Sequence, residues 1–233
     1  MTKRNRFTNH HFYEFMQGIQ AELPILLGVA PFGMIYGVLA TSAGLSVASA
    51  QAMSAVVFAG SSQFILVQLL NMGTPALMMI LTGLVVNLRH ALYSASIAPH
   101  LRHLSTMWKL LLGYLLTDEA YAVAIMHYRR EEQTDKAHWF FLGAGVALWT
   151  CWQISTAAGI FLGAQVPPGW GLDFTLALTF IALAVPAIND RPTLLAGVSA
   201  GLTALLADGL PYKLGLIAAA VVGIAVGYWS ETK

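Results

Sequence analysis

The chain has 233 residues, of which 57% are hydrophobic and 10% charged, with 12 basic and 11 acidic side chains and a formal net charge of +1. An ordinary soluble domain, with about 25% charged residues, is excluded, and so is a disordered chain, which needs low hydrophobicity and high charge. Balanced charge argues against nucleic acid as a partner, and the single cysteine, Cys151, excludes an internal disulfide or a multi-cysteine metal site.

The N-terminus carries Lys3, Arg4 and Arg6, then His10 and His11. Glu14, Gln17, Gln20 and Glu22 follow where a signal peptide would have its apolar core. Residues 7–22 therefore read as an amphipathic lead-in helix, and residues 1–19 as a cytoplasmic lead-in to one transmembrane domain over 20–233. Positions 23 to 88 then hold no Asp, Glu, Lys or Arg. A membrane crossing takes about 20 apolar residues, each rising about 1.5 Å, so this stretch holds about three crossings.

The predicted spans are 20–41, 48–70, 75–98, 108–127, 139–163, 173–189, 192–208 and 213–229. Turn residues separate them, among them Asn71-Met72-Gly73-Thr74-Pro75, Pro167-Pro168-Gly169 and Asp208-Gly209-Leu210-Pro211. Continuous apolar runs rather than short alternating segments exclude a membrane β-barrel. The fold class is an all-α polytopic helix bundle of about eight spans, with seven as the rival count. An N-terminus on the cytoplasmic side places Lys3, Arg4, Arg6, Arg129, Arg130, Lys136, Arg191 and Lys233 inside, and Arg102, Lys109 and Lys213 outside. A weak internal echo relates Gly44-Leu45-Ser46 to Gly171-Leu172-Asp173 and Pro75-Ala76-Leu77 to Pro192-Thr193-Leu194. Repeats of this kind occur in secondary transporters.

Ionisable residues inside lipid are expensive and mark function by default. Asn87-Leu88-Arg89-His90 lies in the third span and Thr117-Asp118-Glu119 in the fourth. One arginine and two acids on successive spans form either a substrate and proton site or a structural ion pair. Neighbouring helix residues point about 100° apart, so Asp118 and Glu119 do not both face Arg89. Gly60-Ser61-Ser62-Gln63, mid-way in span two, reads as a helix break whose amides hold a carboxylate, or as small-residue packing. Pro31, between Gly28 and Gly33, predicts a kinked or unwound segment in span one. Asp173 reads as a helix cap, His100 and His103 lack a third metal ligand, and Trp108, Trp139, Trp170 and Trp229 read as interfacial anchors. No Walker loop, HExxH motif or nucleophile–base order occurs, so neither enzyme, metal nor cofactor is expected.

At these residues the sequence resembles the AzlC-like branched-chain amino-acid permeases. The resemblance lies in Val57-Phe58-Ala59-Gly60-Ser61-Ser62-Gln63-Phe64, Asn87-Leu88-Arg89-His90 with Pro99-His100-Leu101, Leu116-Thr117-Asp118-Glu119-Ala120, and Gly171-Leu172-Asp173-Phe174. Leu23-Pro24 and Pro31-Phe32-Gly33 fit it too, and Ser62 departs from the commoner alanine. It implies export of valine, leucine, isoleucine or methionine across a bacterial cytoplasmic membrane, together with a small AzlD-like membrane subunit. The small residues Gly143, Gly145, Ala147, Gly159 and Gly163 offer that subunit a docking face.

The site expected for such a zwitterion joins a carboxylate-binding part, Gly60 to Gln63 or Arg89, to an ammonium-binding part, Asp118, Glu119 or Asn87. Phe58, Phe64, Met34 and Tyr36 would line its apolar pocket, Pro31 would shape it, and Asp118 or Glu119, with Glu119 preferred for its reach, would couple protons. The rival readings are a channel and a structural subunit of a larger complex.

Overall fold

The structure is a computed structural model and describes residues 3–130, 137–163, 188, 190–210 and 214–231. The described residues hold nine helices joined by short turns: α1 (Lys3–Ser42), α2 (Val47–Val56), α3 (Gly60–Asn71), α4 (Ala76–Leu101), α5 (Thr106–Tyr114), α6 (Asp118–Arg130), α7 (Ala137–Gly163), α8 (Arg191–Leu206) and α9 (Leu214–Glu231). Four are long and apolar enough to cross a membrane: α1 over His11–Ser42, α4, α7 over Ala137–Leu162, and α9. The predicted span 173–189, with Asp173 and Trp170, lies outside the described residues. The chain forms two compact units, one of Met1–Phe64 and Val86–Val166, the other of Ile65–Val85 and Pro167–Lys233.

The first unit is built on α1 and α7. Phe15 lies on Gly143, Gly18 on Phe140 and Ala144, Met34 on Gly159, and Gly37 on Thr156 and Ile160. Both numbers rise together, so the helices run parallel. At Gly18, Gly37, Gly143 and Gly159 the place of a Cβ is taken by a carbonyl oxygen of the facing helix. Only glycine permits that approach, which brings Cα–H groups against carbonyls along the contact. Gly145 instead packs on Leu115. The small residues expected to dock a partner subunit are thus largely covered within the chain. α1 also runs unbroken through Pro24 and Pro31, so of the kinked or unwound segment expected near Pro31 the unwound form is absent. Both prolines sit on its exposed side, while α7 braces the opposite face.

Spans two and four depart from expectation. α5 has 9 residues and rises about 14 Å, half of a hydrocarbon core of about 30 Å. Trp108 near its start lies 4.8 Å from the His138 ring and 5.1 Å from Trp139, at the first turn of α7. Tyr114 at its end accepts a 2.7 Å hydrogen bond from Trp149 Nε1, well along α7. The chain breaks over 115–117 and α6 comes back: His127 stacks 3.8 Å from Phe140, and Tyr128 donates to the Ala137 carbonyl. Residues 108–127 therefore form a hairpin that enters and leaves at one end of α7. Hydropathy records apolar length but not direction, which is why they read as a crossing. Arg102 and Lys109 consequently lie at the same end as Arg129, not opposite it.

α2 enters from the other end. Ala50 accepts a hydrogen bond from Tyr36, Gln51 Nε2 donates to Gln153, and Ser54 and Thr156 bond hydroxyl to hydroxyl at 2.9 Å. The helix stops at Val56, and α3 starts at Gly60 beside Trp152. Ser61 and Ser62 meet Arg89 and Asn87, so α3 starts antiparallel to α4. Residues 86–101 of α4 run towards the returning end of α6: Tyr121 bonds Ser96, and His100 lies 5.0 Å from Tyr128. From Gly60, α3 therefore heads back the way α2 came. The break expected near Gly60 is present, and the chain reverses direction at it.

In the second unit, Asp190 caps α8 by accepting the Thr193 N–H at 2.8 Å, which holds its carboxyl below the usual range. α8 packs antiparallel on α9, with Gly215 on Ala207, Gly223 on Ala200 and Gly227 on Ala196.

Two outcomes follow. Gly143→Leu should destabilise the protein by roughly 1–3 kcal/mol or more through overpacking, whereas Gly28→Leu, with nothing within 4 Å, should be tolerated; thermal unfolding in detergent measures both. In a Cys151→Ser background, Ser105→Cys and Arg129→Cys should react with an impermeant maleimide from the same membrane face. Reaction from opposite faces would restore the crossing.

Candidate functional site

Each break leaves helix ends without intrahelical partners, and in lipid these must be satisfied by protein. At the first break the fully buried Gln63 does this. Its Nε2 donates to the carbonyls of Ser54 (3.2 Å) and Val57, and its Oε1 accepts from Trp152 Nε1. At the second break Thr117 caps α6, its hydroxyl accepting from the Ala120 N–H. The breaks meet through Tyr114, which donates to the Ala55 carbonyl at 2.6 Å, and through its ring contact with Phe58.

Arg89 of α4 stands between the two half-helix starts. It pairs with Asp118, first residue of α6, and donates to Ser61 Oγ, second residue of α3, at 2.5 Å. Ser62 is fully buried and donates to Asn87 Oδ1 at 2.7 Å. Among the described residues Arg89 forms its ion pair with Asp118 and not with the neighbouring Glu119. Three buried polar atoms here have no hydrogen-bond partner among the described residues: Arg89 Nε, Asp118 Oδ1 and His90 Nε2. The last two are 3.9 Å apart.

Gly60, Ser61, Ser62, Gln63, Asn87, Arg89, Asp118 and Glu119 are therefore gathered at the two breaks. Pro31 is not; it faces outward on α1. Gln63 is present, but its amide is engaged in holding the break. Tyr36, Phe64 and Phe58 are buried, and Tyr36 packs edge-on to Phe64 and stacks on Trp152. The cavity found beside the second break measures about 280 Å³. Its wall includes Ile97, Leu112, Leu116 and Phe141, with Arg102 and Lys109 also lining it.

Sequence reasoning missed the second break, Tyr114, the partners Trp152 and Gln153, and the buried Glu22. For the break a signal existed: Thr117-Asp118-Glu119 is a capping residue followed by first-turn acids, a helix start inside an apolar run. Among the described residues no group of three His, Cys, Asp or Glu could hold a metal ion.

Residues 24–166 match the family model described as AzlC protein. The chain belongs to the AzlC family. The matched segment runs from Pro24 past the end of α7 and contains both hairpins. Similar proteins include the inner membrane protein YgaZ of Escherichia coli, 26% identical over 92% of this chain and 91% of the relative. An uncharacterized membrane protein of Archaeoglobus fulgidus is 31% identical over 92% and 94%. The branched-chain amino acid transport protein AzlC of Bacillus subtilis is 30% identical over 72% and 66%. No solved structure matches this AzlC-family chain.

Removing Arg89 leaves Asp118 without its partner inside the protein. Arg89→Ala should cost roughly 1–3 kcal/mol, less than a fully buried pair because both side chains are about one-third exposed. Arg89→Ala with Asp118→Asn should recover folded yield, and Arg89→Ala with Glu119→Gln should not. Equal recovery by both doubles would disprove Asp118 as the partner.

Proposed function

We propose that this chain is the large subunit of a secondary exporter of branched-chain or similarly apolar amino acids, among them valine, leucine, isoleucine and methionine. The observation that carries the reading is the incomplete polar site at the breaks. Arg89 Nε–H is a spare donor on a cation, beside the positive ends of two half-helices, and suits a carboxylate. Asp118 Oδ1 is a spare acceptor on an anion and suits an ammonium group. An α-amino acid brings both groups at fixed spacing. The Bacillus relative's printed role in branched-chain amino acid transport supports the same substrate class.

The mechanism is alternating access. Hairpins inserted from opposite ends meet at one locus, so tilting either hairpin opens the locus to one side only, as with broken helices in other transporters. Ser61, Ser62 and Gly60 shape the carboxylate end, and Asn87 accepts from Ser62 beside it. Asp118 and Glu119 couple substrate to a proton, with Glu119 the acid left over once Asp118 pairs Arg89. The protein lies in the inner membrane with its N-terminus cytoplasmic. Arg102, Lys109 and Arg129 gather at the α1 start, which carries Lys3, Arg4 and Arg6, and this one-sided basic distribution supports that orientation. An AzlD-like small subunit completes the exporter; that expectation rests on the family resemblance, since the glycines of α7 are covered by α1.

Proteoliposomes preloaded with leucine test the reading. Saturable counterflow of labelled leucine is expected, reduced at least tenfold by Asp118→Asn. Non-saturating flux would establish a channel, and full counterflow without any small subunit would remove the partner.

A further inference from the structure

Glu22 has no role in the site above, yet it is among the most buried side chains of the protein. Its relative exposure is 0%, and neither carboxylate oxygen has a hydrogen-bond partner among the described residues. It lies one turn after Gly18, which meets Phe140 and Ala144, and one turn before Leu26, whose carbonyl faces Cys151. That register sets Glu22 level with Gly145, on which Leu115 of the second break rests. Glu14 of α1 meets His127 of α6 at 3.4 Å, and α6 runs antiparallel to α1, so the same register carried along both helices brings Glu22 level with Glu119.

Among the described residues no cation pairs with it. α2 carries no titratable residue. On α7 the titratable groups are His138, in the aromatic cluster at its start, and Cys151. On α6, Asp118 is taken by Arg89, His127 faces Glu14 at 3.4 Å, Tyr121 and Tyr128 bond Ser96 and Ala137, and Arg129 and Arg130 lie at the far end. On α1 itself, Glu14 faces His127 and Tyr36 bonds Ala50. A bare carboxylate in such a place costs several kcal/mol, and two facing carboxylates do not both stay ionised.

We propose that Glu22 is a proton-binding site of this protein, exchanging its proton with Glu119 of the neighbouring α6. A proton fits where a metal ion does not, because a proton needs no shell of oxygen ligands. The pair extends the transport reading above, on which its coupling role rests: Glu119 adjoins Asp118 at the substrate locus, and Glu22 holds the proton when Glu119 is ionised.

Infrared spectroscopy of the purified full chain at neutral pH tests the protonation without any transport assay. A protonated-carboxyl C=O band should be present in the wild type and in Asp118→Asn, and lost or reduced by about half in Glu22→Gln. An unchanged band in Glu22→Gln overturns the proposal. Glu22→Gln mimics the neutral acid, so folded yield should match the wild type. In proteoliposomes the readout is leucine efflux with an imposed pH gradient divided by efflux without it. That ratio should fall to about one in Glu22→Gln, whatever the absolute rate. A wild-type ratio retained in Glu22→Gln, or a response to sodium alone, refutes the coupling role. Loss of all counterflow in the wild type would instead strike the transport reading and leave the infrared result standing.

Discussion

Every backbone amide and carbonyl within the hydrocarbon must find its partner inside the protein. This chain interrupts two helices at that depth, and the rest of the first unit answers that constraint. Gln63 closes the carbonyl end of α2, Thr117 caps α6, and Tyr114 and Arg89 tie one break to the other. None of these contacts would form if α2 and α3, or α5 and α6, continued as straight spans. The groups that allow the breaks are thus the groups that create a polar locus midway along α7.

The α1–α7 contact gives the hairpins something rigid to lean on. Carbonyl oxygens seated on glycine Cα atoms fix both the distance between the two helices and their register. Ser54, Gln51 and Tyr36 attach the first hairpin to this wall, and Leu115 on Gly145 attaches the second. The surroundings of Arg89 then depend on hairpin position, because it bonds one hairpin through Ser61 and the other through Asp118.

Much of this was legible in the amino-acid pattern. Uncharged runs located the apolar helices, and the few ionisable residues inside them, Arg89, Asp118 and Glu119, are those that gather at the breaks. Direction was not legible. Residues 108–127 have the length and hydropathy of a span, and only the meeting of Trp108 with Trp139 shows that they turn back. Glu22 was equally hidden. As one polar residue in a series with Glu14, Gln17 and Gln20 it looks like a solvated face, whereas burial by α6 and α7, distant in sequence, makes it an interior acid. Glycine pairs such as Gly18 and Gly143 were visible as small residues, but their partners depend on which helices the topology brings together.

The parallel pairing of α1 with α7 also governs how the protein is made. α1 leaves the ribosome before α7, which emerges only after both hairpins and α4 have been synthesised. Until then the glycine face of α1 has no surface to close against, and Glu22 has no interior to be buried in. The first unit therefore has a long sequence separation at its central contact, the kind that folds late. Its first helix is held in waiting by the membrane alone, and a chain that stops short of α7 lacks the surface that locks α1 in place.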